Sequence, residues 1–91
     1  MVIPVYYLYV LLSESTGRYY VGHTKNLEGR LKRHDEGRSP FTKSRGPFKI
    51  VYIEVYGSRS EAARREAEIK AKKSRSYIEQ LISRGLTNLS P

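Results

Sequence analysis

The chain has no cysteine, no tryptophan, and only nine acidic residues against seventeen basic ones. Without cysteine there is no disulfide staple and no thiolate zinc site. That fits a reducing compartment, and a cytoplasmic location is the expectation. Long apolar runs are missing as well. The longest is short and carries tyrosines, so no segment reads as a membrane span. The first residues show no basic stretch ahead of an apolar one and no small-residue cleavage site, so a secretory leader is not expected.

The shortage of acid leaves a net charge of +8 on 91 residues. A polyanion is the natural partner of such a surface, and nucleic acid is the commonest polyanion. A basic soluble domain without that partner would show the same composition. An anionic membrane fits less well, because no helix pairs a basic face with a broad, bulky apolar one. Aromatic content is almost all tyrosine, eight against two phenylalanines. Tyrosine is amphipathic and often holds its hydroxyl at the edge of a site. The length suits one domain and is too short for two. Residues 1–91 are read as that domain, with a core over about 5–83 and a tail at 86–91.

Val5 to Ser13 is dominated by β-branched and aromatic residues and reads as a strand. Ser13 to Gly17 suits a hairpin turn, and Arg18 to His23 suits the returning strand. Thr24 to Glu36 reads as a helix, with Thr24 or Asn26 as its cap, Leu27 and Leu31 facing the core, and Gly37 at its C-terminal end. The stretch from Arg38 to Pro47 reads as a basic loop. Phe48 to Tyr56 leaves little polar on either face, which predicts a strand in the centre of its sheet. Ser58 and Glu61 form a capping box for a second helix reaching about Lys73. A third helix spans roughly Ser76 to Arg84, with Gly85 as its stop. The order β-β-α-β-α-α predicts an α+β fold: a small three-stranded, mainly antiparallel sheet flanked by helices.

Three features carry chemistry. If the hairpin turn occupies Glu14 to Gly17, Tyr9 faces Gly22 and Leu11 faces Tyr20. The two tyrosines then share one face as diagonal neighbours, and Gly22 leaves open space above Tyr9. A one-residue change in turn length would separate them. Arg30 and His34 are four apart and lie on one helical face. An arginine neutralises a phosphate, and a histidine exchanges a proton near pH 7. Glu66 lies among Ala62, Ala63 and Ile69, on the face that should meet the sheet. A carboxylate there is costly unless it is paired or holds a metal. Each feature also has a plain structural reading: packing tyrosines, a solvated helix face, and a buried ion pair between Glu66 and, for example, Arg30.

Taken in order, Tyr7-Leu8-Tyr9, Tyr20-Val21-Gly22, Arg30 with His34, and Arg65-Glu66-Ala67-Glu68-Ile69-Lys70 resemble the GIY-YIG nuclease superfamily. More narrowly the chain resembles its short single-domain UPF0213 group. Gly37, Thr42, Arg45 and Val51-Tyr52 fit that group too, and the resemblance spans roughly Val5 to Ser83. It departs in two places. The usual first glycine is Tyr7, and Asn88 lies too far along the chain for the asparagine that lines many superfamily sites.

The resemblance implies a metal-dependent endonuclease with Tyr9, Tyr20, Arg30, His34 and Glu66 as catalytic residues. Glu66 would hold one Mg²⁺ or Mn²⁺ among waters. Tyr9 or Tyr20 would be the general base, with positive charge nearby to lower a phenol that ordinarily ionises near about pH 10. Arg30 would offset charge on the phosphorane, and His34 would relay a proton or hold a tyrosine. Gly22, Lys25, Arg33, Thr42, Lys43, Arg45, Lys70 and Lys73 are the candidate nucleic-acid contacts. DNA is favoured over RNA as the partner, with DNA repair as a setting. The alternatives are a binding module of the same fold without catalysis, or an accessory subunit of a repair complex.

Overall fold

A computed structural model describes residues 5–35 and 46–88, the side chains of residues 34, 35 and 86–88 excepted. Two strands open the fold, β1 (Tyr6–Ser13) and β2 (Tyr19–Thr24), followed by α1 (Leu27–Asp35), β3 (Phe48–Tyr56), α2 (Arg59–Lys72) and α3 (Arg75–Asn88). Three antiparallel strands and three helices make an α+β fold in the expected element order.

The hairpin closes as its turn residues dictate. Gly17 N–H donates to the Ser13 carbonyl over 2.8 Å, and Ser13 N–H donates to Arg18 over 2.9 Å. Gly17 takes φ 73°, a left-handed conformation that glycine adopts without penalty. This turn sets the register, so Tyr9 pairs with Gly22 and Leu11 with Tyr20, as the sequence predicts.

The sheet order is β2-β1-β3. The central strand is therefore β1, and β3 is an outer strand, contrary to the expectation from its apolar character. The reason is helix cover. Ile50, Ile53 and Phe48 join Tyr9, Leu11, Leu27 and Leu31 on one face, while Tyr52 and Tyr56 join Leu8, Ile69 and Leu81 on the other. Helices thus cover both faces of an outer strand, leaving most of its residues half-buried, which mimics a central one in sequence. A register shift between Val10 and Leu11 changes the partner on β3 from Tyr52 to Ile50. Ile50 and Ile53, three apart, consequently share the α1 face.

Asn26 caps α1, its side chain accepting from Gly29 N–H at 3.0 Å, while Thr24 Oγ1 accepts from Asn26 N–H at 3.1 Å. Ser58 caps α2 by accepting from Glu61 N–H and also donates to the Glu61 carboxylate at 2.9 Å. At the other end of α2, Lys73 takes the left-handed cap position at φ 48°. Gly85 does not end α3. It is buried within the helix, where a Cβ would lie 2.6 Å from the Tyr52 ring, so its small size serves packing. The helix runs on to Asn88, which is not in an extended tail. Gly37 and most of the basic loop read at 38–47 lie outside the described residues.

Candidate active site

Neighbouring residues on α2 reach opposite edges of the sheet. Beneath them Ala62 and Ile69 are buried, and Ile69 belongs to the core cluster that contains Leu8 of the central strand. Arg65 donates to Glu54 on β3 through Nε at 2.9 Å and Nη2 at 3.2 Å. Glu66 turns instead to β2, where His23 Nδ1 donates to its Oε1 over 2.6 Å. Lys70, one turn further along the helix, donates to Oε2 over 2.6 Å. The Glu66 side chain is 20% exposed. Burial works to raise its pKa, but Lys70 and His23 outweigh it and hold the carboxyl below its usual value. Glu66 is therefore an ionised carboxylate.

The Tyr9 phenol lies on the α1 face, over Gly22. Burial pushes its pKa up; Arg30 opposes this both by charge and by a hydrogen bond to the hydroxyl, Glu66 adds to the rise, and Arg33 lowers it. Arg30 of α1 and Glu66 of α2 thus both act on the hydroxyl of Tyr9 on β1. The space above Tyr9 that Gly22 was expected to leave open is filled by the tyrosine's own ring. Tyr20 shares the α1 face and meets the Phe48 ring edge-on, with centroids 5.6 Å apart.

Arg30 bonds the Tyr9 hydroxyl, and Glu66 is paired with His23 and Lys70 rather than with Arg30. Lys25 and Arg33 are exposed near α1, and Lys73 is exposed at the end of α2. His34 lies on α1, but its side chain is outside the described residues, as are Thr42, Lys43 and Arg45. His23 was read only as a strand residue. Its signal was available: it follows Tyr20-Val21-Gly22 directly and pairs with Leu8, which puts it on the face that α2 covers. Glu54 was missed too. It alternates with Tyr52 and Tyr56 on one strand face, and both hydroxyls donate to it, Tyr56 at 2.6 Å.

Of the described side chains, Glu66 is the one whose chemistry would fit a hard divalent ion. Glu66 offers an ionised oxygen donor, and among the described residues the exposed Lys70 is the partner of Oε2. Among the described residues there is no cluster of three or more His, Cys, Asp or Glu side chains that could hold a metal. An ion here would keep most of its waters, as Mg²⁺ readily does. Nor is any described helix long and apolar enough to cross a membrane.

Known proteins resemble this chain in sequence and fold. The chain is 44% identical over 79 residues to a UPF0213 protein of Syntrophus aciditrophicus, covering 84% of this chain and 87% of that one. It is 38% identical over 81 residues to a UPF0213 protein of Staphylococcus saprophyticus, covering 88% of this chain and 96% of the other. The solution NMR structure of a UPF0213 protein from Bacillus halodurans superimposes with a TM-score of 0.56 at 35% identity, over 94% of this chain and 97% of that one. The family model described as the GIY-YIG catalytic domain matches residues 5–79, and the chain belongs to that family of nuclease domains.

Proposed function

We propose that the protein is a metal-dependent endonuclease that hydrolyses phosphodiester bonds of nucleic acid, with DNA favoured over RNA. The observation that carries this reading is that the Tyr9 hydroxyl of β1 is bonded by Arg30 of α1 and feels the charge of Glu66 of α2, three residues from separate elements. Family membership supports a nucleic-acid substrate.

In this reading Glu66 would hold one Mg²⁺ or Mn²⁺, which when bound supplies charge stabilisation for the scissile phosphate and the leaving oxygen. His23 keeps the carboxylate in place. Arg30 orients the Tyr9 hydroxyl and offsets negative charge on the phosphorane. Tyr9 accepts the proton of the attacking water. Burial and Glu66 oppose its ionisation while Arg30 and Arg33 favour it, so proton acceptance needs further positive charge beside the hydroxyl. Tyr20 is the second candidate base, and His34 a candidate relay on sequence grounds. Lys25, Arg33 and Lys73, with Thr42, Lys43 and Arg45, are proposed to contact backbone phosphates, which makes affinity fall steeply with salt.

The test is cleavage of plasmid and of labelled RNA with Mg²⁺ or Mn²⁺ by wild type and Glu66→Ala. Wild type should cut and the variant should not. Equal cutting by the two would sink the reading. One observation favours a second reading, a nucleic-acid-binding module: both Glu66 oxygens are already held by cationic or hydrogen-bonding partners. That module would bind in a salt-sensitive way, unaffected by Glu66→Ala, and would not cleave whichever metal is supplied.

A further inference from the structure

The two partners of Glu66 are not equivalent. His23 comes from a strand forty-three residues away, and its side chain is 24% exposed. It fixes the rotamer of the carboxylate and occupies Oε1. Lys70 comes from the same helix, four residues along, and its side chain is 56% exposed. A Glu-to-Lys pair at this spacing is weak on an open helix surface, and the lysine stem has several rotatable bonds by which to leave. Oε2 is therefore the oxygen whose partner is easily exchanged.

We propose that Lys70 is a displaceable counter-ion of the metal site. Its ammonium holds the Glu66 oxygen that a divalent ion would take, and it competes with that ion. This inference rests on Glu66 being the metal ligand. The competition has a simple physical basis. A divalent ion and an ammonium group that share one carboxylate oxygen lie only a few ångströms apart, and their repulsion makes each weaken the other's hold. His23 stays, since it donates to the other oxygen and so leaves Oε2 as the coordinating atom. Lys70 also explains how an ionised, half-buried carboxylate is tolerated before an ion arrives, since an unpaired one is costly. The same residue thus stabilises the empty fold and tunes the site toward weak, exchangeable metal.

The test is Mn²⁺ binding, followed by loss of the free-ion electron paramagnetic resonance signal, for wild type, Lys70→Gln, Lys70→Arg and Glu66→Gln. Thermal unfolding in chelator checks that each variant is folded. Lys70→Gln should bind Mn²⁺ several-fold to about tenfold more tightly than wild type, the scale expected for removing one unit charge beside a divalent ion at a solvated site. Lys70→Arg should bind no more tightly than wild type. If Lys70→Gln binds as wild type does or more weakly, while Glu66→Gln loses binding, the Lys70 inference falls and the ligand role of Glu66 stands. Should Glu66→Gln bind as tightly as wild type, or should no folded form bind at all, the ligand role itself fails.

Discussion

The phenol of Tyr9 lies so close to the backbone of Gly22 that a Cβ on residue 22 would sit 2.6 Å from the Tyr9 Cζ, and closer still to its hydroxyl oxygen. Glycine here is a matter of close approach across a strand pair. Since Tyr9 is only 4% exposed, its ring has little room to retreat. Gly22→Ala should push the ring aside and break the contact with Arg30. We expect a stability loss of about 1–3 kcal/mol, the range for overpacking, and at least a tenfold fall in cleavage rate. In a Tyr9→Ala background the added methyl should cost almost nothing. Urea denaturation of the four proteins in this cycle measures the coupling.

Gly85 poses the opposite forces more openly. Alanine favours a helix over glycine by about 1 kcal/mol. Against that, a Cβ would lie 2.6 Å from two Tyr52 ring atoms, and Tyr52 is tied to Glu54 by its hydroxyl. Overpacking of about 1–3 kcal/mol should prevail, so Gly85→Ala is expected to destabilise by about 1 kcal/mol net. In a Tyr52→Ala background the same change should become stabilising. A stabilising effect in the wild-type background would show that the ring moves freely.

The Glu54–Arg65 pair holds α2 against β3. Arg65→Ala leaves a part-buried carboxylate with only its two tyrosine donors, and should cost roughly 2–3 kcal/mol, the range for hydrogen bonds to charged groups. Because Arg65 neighbours Glu66, this loss should also lower cleavage by more than the unfolded fraction explains. Activity measured well below the unfolding midpoint separates the two effects.

Stability should fall at both ends of the pH scale. Burial raises the pKa of Glu54 and Glu66, but their donors prevail and both carboxyls sit below their usual values in the folded chain. Their contribution is present above the unfolded carboxylate range, near about pH 4, and is lost as pH falls through the folded values. For Tyr56, burial and then the bond to Glu54 push the pKa up to about 12, and the same causes raise Tyr52. Their contribution is full below the unfolded value of about 10 and is lost as pH rises through about 12. Unfolding midpoints measured across pH should show a plateau between these limits. Tyr56→Phe should flatten the alkaline arm.

Lys73 carries a side chain at a left-handed cap position. That conformation costs an ordinary residue about 1 kcal/mol, and glycine escapes it. After allowance for glycine's greater freedom in the unfolded chain, Lys73→Gly should stabilise by about 0.5 kcal/mol. The same variant removes an exposed cation, so its nucleic-acid affinity should drop and its salt dependence should flatten. Thermal melts and binding measured at several salt concentrations test the two effects separately.

Much of this protein is determined locally. Alternating β-branched and aromatic residues, a Gly-ended turn, Ser58 and either Thr24 or Asn26 as caps, and helical spacing of apolar residues were enough for the element order and the hairpin register. The register follows from turn length alone, so the pairing of Tyr9 with Gly22 was legible in the chain. Glu66 was legible as an anomaly, a carboxylate on an apolar helix face. Its partners were not. Sequence periodicity says which face a residue occupies but not which strand lies opposite that face. Only the crossing of α2 over the sheet brings His23 to Glu66 and Glu54 to Arg65. The outer position of β3 was hidden for the same reason, because burial by helices on both faces leaves the same apolar pattern as burial between strands. Gly85 reads as a helix stop in one dimension and proves to be a contact in three. Local sequence determined the elements and where the unusual residues stand on them; tertiary packing decided what each of those residues touches, and with it that Glu66 is held by a histidine on one oxygen and a lysine on the other.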